Sequence, residues 1–432
     1  MEQAKMLAKE LLGFIDNSPS CYHVTENFAE MLKNQGYRAL NEQDKWDIQP
    51  GGKYFVTRNG SSIIAFRVPQ TVTGGFLMAA AHSDSPTFKI KENPEHPALG
   101  HYVQLNTEKY GGSLMATWFD RPLSVAGRVL VETDGGIATK NVCVDRDLLV
   151  IPSVAIHMNR NANDGYKWNP AVDTLPLMGG KDAKGKFTEL LEEAAGGKIL
   201  GHDLYLYIRQ KSSIWGLNEE YISSAALDDL ECAWACTQGF LQAKETANIP
   251  VLAVFDNEEV GSGSYQGAAA DFLESTLARI CQALTLDESC QKAKSFLVSA
   301  DNGHALHPNH PELSDASNAP VVNGGVVIKF NATLKYTTDG LTAAIFRKIC
   351  QKAEVPVQTY CNRADIAGGS TLGNVSLHQV AVPSVDIGLA QLAMHSCYET
   401  AGVADVTYLK KAMTAYYSAT LKITEKGGFS LK

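Results

Sequence analysis

The feature that most constrains the fold of this chain is a set of short apolar segments that each end abruptly at a polar residue or loop. They occupy residues 75–81, 250–255, 295–300 and 382–387. The first three run directly into His82, Asp256 and Asp301, and the fourth precedes a loop that ends at His395. Short apolar runs with polar ends are typical of parallel strands that are buried on both faces of a sheet.

Stretches with helical periodicity separate these segments. Residues 225–244 and 340–353 repeat apolar side chains at helical spacing, and the chain begins with an amphipathic stretch around Leu7 and Leu11. The alternation of strands and helices predicts an α/β fold. In this fold a mixed, mostly parallel sheet carries helices on both of its faces.

The middle of the chain has a different pattern. From about residue 91 to residue 221, short strand-like pieces are broken by clusters of Gly, Asn, Asp and Pro, and residues 203–210 alternate as a half-buried strand does. The 432 residues exceed the size at which a single core stops growing. We therefore predict one α/β domain, formed by residues 1–90 and 222–432, that is interrupted by a mostly β inserted domain of residues 91–221.

The composition excludes some classes of partner. The chain has 47 acidic and 38 basic residues and a formal net charge of -9, which argues against nucleic acid because phosphate binding requires a basic face. No apolar run approaches the roughly 20 residues of a membrane-spanning helix, and the first residues lack a signal-peptide pattern, so we expect no membrane partner. The nine cysteines are scattered and include no Cys-x-x-Cys pair, which favours a reduced, cytoplasmic protein.

Residue types that bind metal ions gather where the predicted strands end. In open α/β sheets, ligands bind outside the carboxyl ends of the strands. These ends, together with one predicted helix N-terminus, supply the side chains of His82, Asp84, Asp228, Glu258, Glu259, Asp301 and His395. Each of them alone is more often a solvated loop residue or a helix cap. Together, their imidazole and carboxylate groups suit zinc, cobalt or manganese ions.

The number of candidate ligands matches a site for two metal ions. Two ions about 3.5–4 Å apart need a bridging carboxylate and roughly two terminal ligands each. That number is supplied by His82, Asp228, Glu259, Asp301 and His395. Glu258 is then free to act as a general base, and Asp84 is placed to accept the second N–H of His82. The alternative is that Glu258 and Glu259 are two acids that begin a helix, where the helix dipole favours them.

A series of motifs occurs in order along most of the chain: AAHSDSPTFKIK, TWFDRPLSVAGRV, VAIHMNRNAN, ALDDL, VFDNEEVGS, SADNGHALHPN, VIKFN followed by KYTT, and GGSTLGN. By these motifs the chain resembles the aspartyl aminopeptidases, a family of metallo-aminopeptidases in the di-zinc exopeptidase clan. Several motifs in the right order are far more specific than one. Pro122 departs from the family motif FDRDL, and residues 165–198 match no motif of the family.

The resemblance implies a ligand set. It assigns one metal ion to His82, Asp228 and Asp301. It assigns the other to Asp228, Glu259 and His395, so that Asp228 bridges the two ions. Zinc is the expected metal, and cobalt and manganese are the alternatives.

The resemblance also implies an activity. The protein would hydrolyse the first peptide bond of a peptide with a water molecule activated by two metal ions. Glu258 would be the general base and acid, and Asp84 would orient His82. The preferred substrates would be peptides whose first residue is Asp or Glu.

Substrate-binding residues follow from the same motif positions. His304 would contact the substrate near the metals, and Lys329 and Tyr336 would help to hold it. A buried ammonium of Lys329 would pair with the acidic side chain of the substrate, whereas the alternative is a surface lysine, the commoner fate of this residue type. His157, in the inserted domain, would reach the active site of a neighbouring subunit.

The resemblance also implies an oligomeric state, and two alternative functions stay open. The family forms tetrahedral dodecamers built from dimers, which implies a homo-oligomer in which the inserted domain serves dimerisation. One alternative function is a related di-metal exopeptidase with a different specificity. The other is a catalytically silent assembly protein, because a fold does not fix a function.

Overall fold

The computed structural model describes residues 2–423 and 428–431. The α-helices, in chain order, are α1 Glu2–Asp16, α2 Cys21–Asn34, α3 Lys186–Ala195, α4 Leu227–Gln242, α5 Phe272–Ala283, α6 Glu288–Ala293, α7 Gly340–Lys352, α8 Leu372–Ser376 and α9 Val403–Tyr417. None of the helices within these residues combines the length and the apolar character that a membrane span requires.

The strands outnumber the helices. In chain order they are β1 Arg38–Leu40, β2 Lys53–Arg58, β3 Ser62–Arg67, β4 Phe76–His82, β5 Thr87–Ala98, β6 Tyr102–Tyr110, β7 Leu123–Thr133, β8 Gly136–Cys143, β9 Leu177–Gly180, β10 Ile199–Ile208, β11 Ser213–Trp215, β12 Tyr221–Ser224, β13 Ile249–Phe255, β14 Phe296–Ala300, β15 Gly303–His304, β16 Val326–Phe330, β17 Val357–Cys361, β18 Ser384–Gly388, β19 Ala390–Leu392, β20 Glu399–Gly402, β21 Leu421–Ile423 and β22 Phe429–Leu431. The largest sheets formed by the described residues have nine, six and five strands.

The nine-stranded sheet has the order β1-β2-β3-β13-β4-β14-β18-β16-β17. Its central strands β13, β4, β14 and β18 pair in parallel and contain the four apolar segments that the sequence indicated. The pairs β1–β2 and β16–β17 are also parallel, whereas β2–β3, β3–β13 and β16–β18 are antiparallel. The predicted mixed, mostly parallel sheet is therefore confirmed.

Alternate residues of the central strands face opposite sides of this sheet, as the two-residue period of a strand requires. In β4, Leu77 and Ala79 belong to a core that includes α1, α2, α4, α7 and α9. Met78 and Ala80 belong to a second core that includes α5 and α8. Helices cover both faces, which explains why these strands are apolar along their whole length.

The six-stranded sheet has the order β8-β7-β10-β5-β6-β9, and all of its pairings are antiparallel. In β10, Leu204 and Leu206 face a separate core that also contains Phe187 and Leu191 of α3. Helix α3 was not predicted from the sequence and lies in the stretch without a family motif. This β-rich part lies in the chain between β4 and β13 and agrees with the predicted insertion, whereas the domain boundaries stay a prediction.

The five-stranded sheet has the order β11-β12-β20-β19-β15. Its first two strands in the chain, β11 and β12, follow β10 of the six-stranded sheet. Its strand β12 leads into α4, β15 follows β14, and the connection between β19 and β20 contains His395. This small sheet therefore gathers the segments that contain Asp228, Asp301 and His395.

Candidate metal centre

The predicted metal ligands meet in one connected cluster. Side chains whose ligand atoms lie within 4.8 Å of one another form three overlapping groups: His82, Asp228, Asp229 and Asp301; His82, Glu258 and Glu259; and Asp228, Glu259 and His395. The structure thus brings together every ligand that the sequence indicated. Asp229 joins the cluster although the sequence analysis did not single it out.

The central strands position most of these side chains. His82 is the last residue of β4, and Asp301 directly follows its parallel neighbour β14. Glu258 and Glu259 begin a short 3-10 turn after β13, which pairs in parallel with β4 on its other side. Because parallel neighbours end at the same edge of a sheet, these four side chains converge there.

Asp228 lies at the centre of the cluster, in the first turn of α4. Its Oδ1 lies 3.5 Å from Nε2 of His82, and its Oδ2 lies 3.4 Å from Nε2 of His395. The same nitrogen of His395 lies 3.5 Å from Oε1 of Glu259. The two carboxylate oxygens of Asp228 therefore face different groups of candidate ligands, as the oxygens of a bridging ligand do.

Two buried carboxylate oxygens show that a cation fits this site. Oδ1 of Asp228 and Oδ1 of Asp229 accept no hydrogen bond from any of the described residues. Burying an unpaired carboxylate oxygen is costly, so such atoms call for a missing partner. The imidazole nitrogens and carboxylate oxygens around them are ligands that zinc prefers.

The electrostatics of the cluster also favour a divalent cation. Burial, together with neighbouring carboxylates, raises the pKa of Glu258 to about 8 and raises the pKa of Asp301 above its usual value. Burial also opposes ionisation of Asp228, but the imidazole rings of His395 and His82 beside it outweigh burial and lower the pKa of that carboxyl. The acids therefore outnumber the cationic groups, and a bound metal ion would balance their charge.

Asp84 makes two kinds of contact. Nδ1 of His82 lies 3.0 Å from the backbone oxygen of Asp84 and 3.5 Å from its carboxylate Oδ1. The carboxylate accepts hydrogen bonds from the backbone N–H groups of Glu258 at 3.1 Å and Glu259 at 3.2 Å. Asp84 thus contacts the ring of His82, mainly through its backbone, and also holds the turn with the two glutamates.

Glu399 is a buried residue of the site that the sequence analysis missed. Its carboxylate accepts the backbone N–H of Asp228 at 2.9 Å and that of His395 at 2.7 Å. Burial, together with the charge of Asp228, raises the pKa of Glu399 to about 8. A lone Glu after His395 gives no recognisable signal in the sequence, because the contact with Asp228 joins distant parts of the chain.

Two of the predicted substrate-binding residues lie beside Asp301. Lys329 is only 2% exposed, and its Nζ donates to the backbone oxygen of Asn302 at 2.9 Å. The same Nζ lies 3.7 Å from Oδ1 of Asp301 and 5.3 Å from the centre of the Tyr336 ring. The burial of Lys329 excludes the alternative interpretation of a surface lysine.

The two predicted histidines of the substrate site lie in different places. His304 lies in β15, close to Asp301 in the chain, and its side chain is exposed. His157 lies in a turn between β8 and β9, and its side chain is also exposed. Among the described residues, no hydrogen bond, ion pair or ring contact joins His157 to the cluster. A single chain therefore does not bring His157 to this site.

The sequence of this chain is similar to those of known proteins from one family. The model of the family "Aminopeptidase I zinc metalloprotease (M18)" matches residues 14–417. A protein named probable M18 family aminopeptidase 2 from Clostridium novyi (strain NT) is 42% identical over 432 residues, which are 97% of this chain and 100% of that protein. A protein of the same name from Pseudomonas paraeruginosa (strain DSM 24068 / PA7) is 41% identical over 428 residues, which are 96% and 98% of the two chains.

Solved structures resemble the chain over nearly its whole length. A cryo-EM structure of the Ape4 and Nbr1 complex superposes with a TM-score of 0.92 and 37% identity, covering 96% of this chain and 86% of the other. The structure of an mApe1 dodecamer from S. cerevisiae superposes with a TM-score of 0.85 and 25% identity, covering 96% and 97% of the two chains.

Proposed function

The chain belongs to the aminopeptidase I zinc metalloprotease (M18) family, and from this premise we propose that it removes Asp or Glu from the N-terminus of peptides at a dinuclear metal centre. As a member of this family, the protein is a metallopeptidase that hydrolyses peptide bonds. The observation that carries the proposal of a dinuclear centre is the pair of ligand groups that share Asp228, with Glu258 beside them.

Asp228 would bridge two metal ions. His82 and Asp301 would complete the ligands of one ion, and Glu259 and His395 would complete those of the other. Support comes from the two histidines, because each faces a different oxygen of the Asp228 carboxylate. When bound, two zinc ions would polarise the scissile carbonyl and lower the pKa of the attacking water.

Glu258 would move the proton during hydrolysis. It lies within the cluster beside His82 and Glu259, yet the proposed ligand set is complete without it. Burial raises the pKa of Glu258 to about 8 and the charge of bound metal ions would lower it again, so this carboxyl could accept a proton and return it. Its carboxylate would accept a proton from water and deliver it to the leaving amine.

Lys329 would select peptides with an acidic first residue. In the structure, Asp301 is the carboxylate that forms an ion pair with the buried Lys329 ammonium. If Asp301 is also a metal ligand, the ammonium can pair with a second anion, and the side chain of a substrate Asp or Glu supplies one. Tyr336 and His304 would contact the substrate near this ammonium.

The active form would be a homo-oligomer, a tetrahedral dodecamer built from dimers. One relative, mApe1 of S. cerevisiae, forms a dodecamer. The exposed His157 is surrounded in the chain by the exposed apolar side chains of Val154, Ile156 and Met158, which would be covered in an assembly. His157 would then reach the active site of a neighbouring subunit. A monomeric mass in light scattering would contradict both the assembly and this role.

Replacing Glu258 by Gln tests the mechanism. Because the amide cannot accept the proton, we expect kcat for an aspartyl nitroanilide to fall by at least about 100-fold while zinc stays bound. Turnover and zinc content, the latter by elemental mass spectrometry, are measured on the same preparation. The matched variant Glu259→Gln should instead lower the zinc content, because it alters a proposed ligand. Near-normal turnover in Glu258→Gln would refute the role of this residue as the base.

A further inference from the structure

A tyrosine of the six-stranded sheet touches the site from outside the nine-stranded sheet. Tyr110, the last residue of β6, is 9% exposed. Its hydroxyl donates a hydrogen bond to Oδ2 of Asp84 at 2.7 Å and accepts one from Nδ2 of Asn257 at 2.8 Å. One hydroxyl therefore joins the segment after β4 to the turn after β13.

The carboxylate of Asp84, which accepts the hydrogen bond of Tyr110, also binds the turn that contains the two glutamates. Its Oδ1 accepts the backbone N–H of Glu258 at 3.1 Å, and its Oδ2 accepts that of Glu259 at 3.2 Å. These two bonds fix the peptide groups from which both side chains extend. A shift of the Asp84 carboxylate would therefore move Glu258 and Glu259 together.

Asn257 is held so that its amide N–H can reach Tyr110. It begins the turn in the left-handed region, with φ 65°. Its Oδ1 accepts hydrogen bonds from Oγ of Ser264 at 2.7 Å and from Nε2 of Gln266 at 2.8 Å. These two bonds fix the orientation of the Asn257 amide group, so that its Nδ2 points toward the Tyr110 hydroxyl.

We propose that Tyr110 is a positioning residue whose hydroxyl holds the Asp84 carboxylate and the Asn257 amide, and through them the turn with Glu258 and Glu259. This inference rests on the proposed function, because it matters only if these glutamates act as base and ligand. The β-rich part of the chain would then help to position the turn that contains Glu258 and Glu259.

The hydroxyl, and not only the ring, has this role. The ring of Tyr110 packs edge to face on Tyr205, with centroids 5.4 Å apart, and phenylalanine would keep that contact. Without the hydroxyl, the buried Asp84 oxygen loses a donor and Asn257 loses an acceptor. Burial, together with the charge of Asp84, raises the pKa of Tyr110, so the hydroxyl stays protonated and remains a donor.

The variant Tyr110→Phe tests the proposal. Loss of a partner behind metal ligands typically lowers activity or metal affinity about 10- to 100-fold. We expect kcat to fall by this amount while KM changes little, because Tyr110 is not a proposed substrate-binding residue. Zinc affinity, measured by competition with a chelator, should also weaken because Glu259 is a proposed ligand. Wild-type kcat and zinc affinity in Tyr110→Phe would overturn the proposal.

The neighbouring Tyr205 provides a matched control. It is also buried, and the hydrogen bonds of the described residues include none from its hydroxyl. Tyr205→Phe should therefore keep wild-type kcat and zinc affinity. A fall in Tyr205→Phe equal to that in Tyr110→Phe would show a general packing effect and would count against the proposal.

Chemical rescue separates the hydroxyl from the ring. Tyr110 lines a cavity of about 110 Å³, and Tyr110→Ala would enlarge it by the volume of a phenol. We expect phenol, which carries a hydroxyl, to restore kcat in Tyr110→Ala at least about tenfold better than benzene, which only fills space. Equal rescue by both compounds would overturn the proposal. The proposed function and the role of Tyr110 can be refuted separately. Full activity in Glu258→Gln would refute the role of Glu258 as the base, whereas full activity in Tyr110→Phe would refute only the positioning role of Tyr110.

Discussion

The two sides of Asp228 are built in different ways. On the buried side, His82 and Asp301 extend from adjacent parallel strands of one sheet, and the His82 side chain is only 1% exposed. On the other side, called the open side for its more exposed histidine, Glu259 and His395 extend from connecting turns. The His395 side chain is 31% exposed, although that of Glu259 is only 5% exposed. One side is thus positioned by the hydrogen bonds of a sheet, and the other by turns that need external contacts.

The segment after β6 supplies contacts to the open side. The backbone oxygen of Gly112 lies 3.3 Å from Nδ1 of His395, and the N–H of Leu114 donates to the backbone oxygen of His395 at 2.9 Å. A Cβ atom at Gly111 would lie 3.1 Å from the Cβ atom of Glu259. The open side is therefore formed where the segment after β6 contacts the β19–β20 connection and the turn after β13, and we expect a substitution there to affect folding stability less than one on the buried side.

The comparison is tested most strongly by removing one histidine from each side. His82→Ala should lower kcat/KM by more than about 100-fold, because losing a ligand exceeds the effect of losing a partner behind one. It should also destabilise the metal-free protein by about 3–5 kcal/mol, because it leaves buried carboxylates unpaired. His395→Ala should lower kcat/KM but change the unfolding free energy little, because water can replace its exposed ring.

Kinetics with defined zinc concentrations and chemical unfolding of the chelated proteins provide the two measurements. If His395→Ala destabilises the protein as much as His82→Ala does, the distinction between a buried and an open side is wrong.

A smaller effect, on substrate selectivity, is expected from replacing Lys329, the buried lysine beside Asp301. Lys329→Met should lower the ratio of kcat/KM for aspartyl over leucyl nitroanilide by about tenfold or more, the value of one charge-assisted hydrogen bond. The ratio is independent of any general loss of active protein. Lys335→Met is the matched control, because Lys335 donates to the backbone oxygen of Gly368 and is not a proposed substrate ligand. An unchanged ratio in Lys329→Met would refute the proposed selection of acidic residues.

The smallest effect is expected from crowding the open side. In Gly112→Ala, the new Cβ atom would lie 3.0 Å from Nδ1 of His395, so the ring must move by a few tenths of an ångström. We expect kcat/KM to fall by about three- to tenfold, less than the effect of a 1 Å displacement of a reacting group. The control is Gly136→Ala at the start of β8, where the nearest atom, Oγ1 of Thr133, would be 3.8 Å away. Wild-type kinetics in Gly112→Ala would show that contact with the segment after β6 does not position His395.

Much of the sheet and of the ligand cluster could be predicted from the sequence. The apolar segments that end at His82 and Asp301 carry a local signal, because a strand buried on both faces must be apolar until it leaves the core. The carboxyl ends of parallel strands share an edge, so the residues that follow them must lie close together. The residues alone also indicated Asp228, at a predicted helix N-terminus, and His395, at the end of the loop after the fourth apolar segment, and the motif resemblance then implied which metal ion each would bind.

The sequence by itself therefore determined the central parallel sheet and the edge at which the candidate ligands meet, because both follow from patterns within a few residues. Only the tertiary structure decided that Glu399 joins the backbones of Asp228 and His395 and that Tyr110 reaches Asp84. These contacts join segments that are far apart in the chain, and a lone Glu or Tyr does not indicate its distant partner.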